Sequence, residues 1–133
     1  MGKDHVTLTV PARGEYARTV RMTAAELAAR LGMSYDEVDD VRMAAEEAFV
    51  YACDCAGDAA NVTFAFILDE GALHVEVGPL PLCCVAEGSH AASESYAEFI
   101  LQSVCDEFAI EHDAGACTLR LCRRAAASGA DLA

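Results

Sequence analysis

Apolar residues recur along this chain with two different periods, and the points where the period changes divide it into elements. Val6, Leu8 and Val10 alternate with His5, Thr7 and Thr9, which predicts a half-buried strand that Pro11 stops. From Gly14 to Leu31 the step lengthens to three and four. Tyr16, Val20, Ala24, Leu27 and Leu31 then share one side of an amphipathic helix that Gly32 closes. Ser34 and Glu37 form a capping box, and Asp36, Glu37, Asp39 and Asp40 crowd the positive end of the next helix, whose buried stripe is Val38, Val41, Ala45, Ala48 and Ala52. Gly57-Asp58 releases that helix into a loop.

The period then drops to two. Val62, Phe64, Phe66 and Leu68 run out along one strand, Asp69-Glu70-Gly71 turns, and Leu73, Val75 and Val77 return along a second. Gly78-Pro79-Leu80-Pro81 is expected to end this hairpin, with an irregular loop over 82–92 and a third helix from Ser93 to about Asp106. Phe108 and Ile110 open another strand, Asp113-Ala114-Gly115 turns, and Cys117, Leu119 and Leu121 line the last. The order strand, helix, helix, two strands, helix, two strands implies an α+β fold. It predicts a two-layer sandwich with three helices on one face of a largely antiparallel sheet. One domain over 1–124 and a frayed tail over 125–133 account for the length of 133 residues.

A formal charge of −13, with one lysine against eight arginines, repels nucleic-acid phosphate and makes nucleic acid a poor partner. Basic protein partners suit such a body, as does plain solubility. No run of about 18 apolar residues predicts a membrane span, and no apolar signal-peptide core follows Met1, so the expected location is the cytoplasm. Seven cysteines are an odd number for a disulfide framework, and they are expected to be reduced thiols. The C-x-C and C-C spacings at Cys53-Cys55 and Cys83-Cys84 do not match zinc-ribbon pairs, and no metal ligand set is assigned.

The segment SYDEVDDVRMAAEEAFVYACDCAG (34–57), with VPARGEYARTVRMTAAELAARLGM before it, resembles the start of the anti-sigma factor/serine-protein kinases of bacterial partner switching, the RsbW-like proteins. The likeness resumes at ILQSVCDEFAIEHDAGACTLRLC (100–122) and leaves out only the tail and the loop at 82–92. It implies the histidine-kinase-like ATPase fold, whose element order is the one predicted above. It also implies a site for Mg-ATP and a protein-docking face.

For the nucleotide, the resemblance places Glu47 at the family's helix glutamate and Tyr51 at its magnesium-binding asparagine. A phenol is a poor neutral ligand for a hard cation that takes compact oxygen donors. Pro79 and Pro81 stand where the family has an adenine-reading aspartate and a glycine, and proline has neither the carboxylate nor a free N–H. The phosphate-cradling glycines are replaced over the stretch holding Ser95 and Ala97, and a threonine by Cys117. ATP and magnesium are therefore not expected as cofactors, and Glu47 also reads as a solvated helix glutamate beside Glu46.

For the docking face, the resemblance implies that the first helix and the loop before it contact a sigma factor or a STAS-type antagonist. Arg21 matches the family's central arginine, with Arg13, Glu15, Tyr16 and Arg18 around it. An arginine fork suits a carboxylate partner. Arg21 also reads as an exposed helix residue near Glu26. Homodimers through the first strand and helix are implied by the resemblance alone. The leading expectation is an anti-sigma-factor-like binding protein without kinase activity. The alternatives are an active ATP-dependent serine kinase with drifted motifs, or a thiol- or metal-sensing regulator.

Overall fold

The computed structural model describes residues 3–56, 60–81, 91–113 and 115–126, without the side chains of 81, 91–95 and 113. The elements are β1 (Asp4–Pro11), a 3-10 turn (Gly14–Tyr16), α1 (Ala17–Arg30), α2 (Tyr35–Ala56), β2 (Asn61–Asp69) and β3 (Ala72–Pro81). They continue with α3 (Ala91–Val104), β4 (Glu107–Asp113) and β5 (Ala116–Arg124). The five strands form one antiparallel sheet in the order β1-β2-β3-β5-β4. Helix α2 lies between α1 and α3 and packs on β2 and β3, so the expected α+β sandwich is the observed one. Among the described residues no helix is long and apolar enough to cross a membrane.

Alternation along the strands decides which side faces the helices. Phe64 pairs with Val77, Phe66 with Val75 and Leu68 with Leu73, while Val77 and Val75 stand opposite Leu119 and Leu121 of β5. These rows meet Val20, Ala24 and Leu27 of α1 and Val41, Ala45, Ala48 and Phe49 of α2 in one buried cluster. Phe64 stacks on Phe66 with centroids 5.7 Å apart and meets Phe49 at 6.3 Å. Leu31, expected inside, is only half-buried, since it caps α1 just past its last turn. Ile100, also expected inside from its helical spacing, is half-buried while the next residue, Leu101, faces the core.

The capping box forms as expected. The Ser34 amide donates to Glu37 Oε1 (2.7 Å), and the Glu37 amide donates to Ser34 Oγ (3.2 Å). Glu37 Oε2 also accepts from the Ala126 amide (2.6 Å), and Ala125 donates to the Gly71 carbonyl (2.7 Å). Chain is thus tied back for two residues beyond the boundary expected at 124, while 127–133, like the expected loops at 57–59 and 82–90, fall outside the described residues.

Helix α3 begins at Ala91, two residues before the expected Ser93, and ends at Val104 rather than about Asp106. Two further boundaries differ from the sequence reading. Residues 14–16 form a 3-10 turn and α1 starts at Ala17, because Arg13 is extended and Tyr16 sits at φ −95, ψ 4, short of helical geometry. The second difference is at Gly78. The hairpin does not end there: β3 passes a bulge between Val77 and Leu80 and pairs again, Leu80 with Cys117 and Pro81 with Ala116. Gly78 makes this possible at φ +141, and a Cβ on it would lie 2.9 Å from the Cys117 carbonyl oxygen.

Candidate functional site

Two sets of residues were singled out by the sequence, and the fold treats them differently. The first stands where α1 begins. The Arg13 guanidinium lies 5.5 Å from the centroid of the Tyr16 ring, and its Nε pairs with Glu15 at 3.3 Å. Arg18, one turn further along, is exposed and makes no hydrogen bond or ion pair among the described residues. Arg21 reaches across to α2, where its Nη1 donates to Glu46 Oε1 at 3.0 Å.

The neighbour expected for Arg21 was Glu26. Five residues along a helix is about 140° round its axis, so that pair cannot meet. Glu26 instead binds Arg30, four residues on, at 2.7 Å. Glu46 was missed because the pair joins residues 25 apart in sequence, and only the packing of α1 on α2 brings them together.

The second set holds the positions aligned with the family's nucleotide motifs. Tyr51 is 7% exposed, Ala97 6% and Cys117 1%, and all three belong to the buried cluster described above. Leu80, between the two prolines, joins them at 2%. Pro79 is exposed on the bulge, and Pro81 continues β3. The backbone at Ser95 lies in α3. Leu80 is a core position that the sequence reading passed over, since Gly78-Pro79-Leu80-Pro81 carries a turn signal that hides the resumed strand.

Glu47 is half-buried at mid-helix and has no hydrogen bond or ion pair among the described residues. Burial, and next the charge of Glu46, push its carboxyl above the ordinary range. The resemblance puts magnesium, a hard cation, and ATP at these positions. A cation of this kind takes several compact oxygen ligands, and Tyr51, Leu80, Ala97 and Cys117 offer a buried, mainly hydrocarbon and sulfur surface.

The cysteines divide. Cys53, Cys105, Cys117 and Cys122 take part in no disulfide, and burial pushes the Cys105 thiol up to about 12. Cys55 is disulfide-bonded, which corrects the expectation of reduced thiols throughout; two cysteines that packing sets side by side can bond whatever the total is odd or even. Cys83 and Cys84 lie outside the described residues. Among the described residues no group of His, Cys, Asp and Glu could hold a metal ion.

Comparison with known proteins extends this picture. Residues 10–80, more than half of the chain, match the histidine kinase-like ATPase domain family. The serine-protein kinases RsbW of Bacillus cereus (strain B4264) and Bacillus anthracis (strain CDC 684 / NRRL 3495) are each 25% identical to this chain, over 84% of it and 80% of their own length. A crystal structure of the RsbU and RsbW domains of a Mycobacterium tuberculosis protein superposes with a TM-score of 0.68 at 22% identity, over 91% of this chain and 32% of that one. The chain belongs to the histidine kinase-like ATPase domain family and is similar to its RsbW serine-protein kinases.

Proposed function

We propose that this chain is an anti-sigma-factor-like regulator that holds a sigma factor, a STAS-type antagonist, or both, by protein–protein contact and transfers no phosphate. The observation that carries this reading is the burial of Tyr51, Leu80, Ala97 and Cys117 in one hydrophobic cluster, at or between the positions where the family handles nucleotide. Phosphoryl transfer depends on a metal and on donors placed around phosphate, and core side chains supply neither. The α1 face is the complement. Arg13, Tyr16, Arg18 and Arg21 present an aromatic ring and three guanidinium groups at or near the surface, and these residue types dominate protein-binding hot spots.

Edge strand β1 pairs only with β2 among the described strands, which supports a second copy as a further partner. One observation favours the kinase alternative: Glu47 keeps the family's glutamate, and its raised pKa suits a proton acceptor. Incubating the protein with Mg-ATP and a STAS-domain protein encoded beside it separates the two readings by mass spectrometry. The binding reading expects a complex in size-exclusion chromatography and an antagonist of unchanged mass. A phosphorylated serine on the antagonist would overturn it.

A further inference from the structure

Arginine on a docking helix is useful only while its fork is open, and Arg21 is not fully open. Its Nη1 is held by Glu46 Oε1 at 3.0 Å, with the two side chains 36% and 40% exposed. The contact therefore lies at the surface, where an outside carboxylate could reach the same guanidinium. Met43 and Val50, three residues before Glu46 and four after it, are also exposed and share its side of α2. Water thus meets an apolar–acid–apolar stripe here, with an arginine from α1 clamped to the acid.

We propose that Glu46 is an internal stand-in for a partner's carboxylate: it occupies Arg21 in the free protein and gives it up when an acidic segment docks on α1. This rests on the reading of α1 as the docking face. Arg18, exposed and without a hydrogen bond or ion pair among the described residues, offers a first hold for such a segment before the exchange at Arg21. Arg30, by contrast, has its own helix neighbour in Glu26 and belongs to another face of α1. An exposed ion pair is weak, so the closed form only modestly outweighs the open one. Apparent affinity is the open form's affinity scaled by its population, and removing Glu46 should raise it about two- to sixfold.

The probe is a hexaglutamate peptide at low ionic strength, titrated into the whole protein and followed by the backbone amide signals of α1. Glu46→Gln and Glu46→Ala are expected to bind it about two- to sixfold more tightly than wild type. Glu26→Gln removes the same charge and should stay close to wild type, while Arg21→Ala should lose most of the binding. If Glu46→Gln gains no more than Glu26→Gln while Arg21→Ala still loses binding, the stand-in is refuted and the docking arginine survives. If Arg21→Ala also binds as wild type does, the docking reading falls with it. Failure of every variant to bind the peptide overturns the stand-in too, since Arg21 would then be closed to outside carboxylates.

Discussion

The α1 face and the nucleotide-motif positions, which are spread over α2, α3, β3 and β5, differ in what they leave open to water. On α1 and just before it, Arg13, Arg18 and Arg21 keep charged groups at or near the surface, and the ion pairs of Arg13 and Arg21 are individually weak. At Tyr51, Leu80, Ala97 and Cys117 the chain has placed side chains that pack together and exclude solvent. A region of the first kind can exchange its contacts for a partner's at little cost. A region of the second kind can admit a ligand only by unpacking the core, and this contrast is what the proposed reading rests on.

If that contrast holds, restoring family residues at the second region should damage the fold rather than revive a site. Tyr51→Asn leaves a cavity and a buried amide, and is expected to destabilise the protein by about 4 kcal/mol in urea unfolding, with no gain of nucleotide binding. Gly78→Ala attacks the same region through the backbone. Its new Cβ meets the Cys117 carbonyl at 2.9 Å in a conformation L residues rarely adopt, so a loss of about 3 kcal/mol should follow. Stability close to wild type in either variant would show that these positions are looser than their burial implies.

The first region should respond in the opposite sense. Arg21→Ala is expected to weaken partner binding by about 2 kcal/mol in calorimetry while leaving the melting point almost unchanged. Arg21→Lys should recover only part of it, because an ammonium lacks the planar fork. A large fall in melting point would make Arg21 a structural residue and blur the comparison.

Much of this could be read before the fold was known, and the misses have physical causes. Alternation placed Phe64, Phe66, Val75 and Val77 inside correctly because a strand has only two faces. The stripe drawn for α2 included Val38, which is half-buried, and omitted Phe49, which is wholly buried, because a helix flanked by others on both sides buries a wider arc than a spacing rule allows. The bulge at Gly78 was hidden by its turn-like composition. Glu46 with Arg21, and Glu37 with Ala126, join residues distant in sequence, and no local pattern announces them.

Glu37 provides the smallest expected effect on the comparison, as a control in neither region. Its carboxylate receives the amides of Ser34 and Ala126, and the bond from Ser34 is the leading cause that holds its pKa below the usual range. Glu37→Gln should cost about 1 kcal/mol. Because the folded value lies below the unfolded one, the stabilisation is complete above the ordinary carboxyl range and fades as pH falls through the folded value. Urea midpoints of wild type and Glu37→Gln should therefore converge in acid, and a gap that stayed constant to low pH would contradict this assignment.

The central claim, that the nucleotide site has been converted into core, is tested most directly by thermal unfolding with and without millimolar Mg-ATP. A ligand that binds only the folded state at 100 times its Kd stabilises it by about 2.7 kcal/mol, which is well within reach of a melting curve. The account expects the two curves to superimpose. A saturable rise in melting temperature with Mg-ATP would contradict it and return the chain to the kinases it resembles.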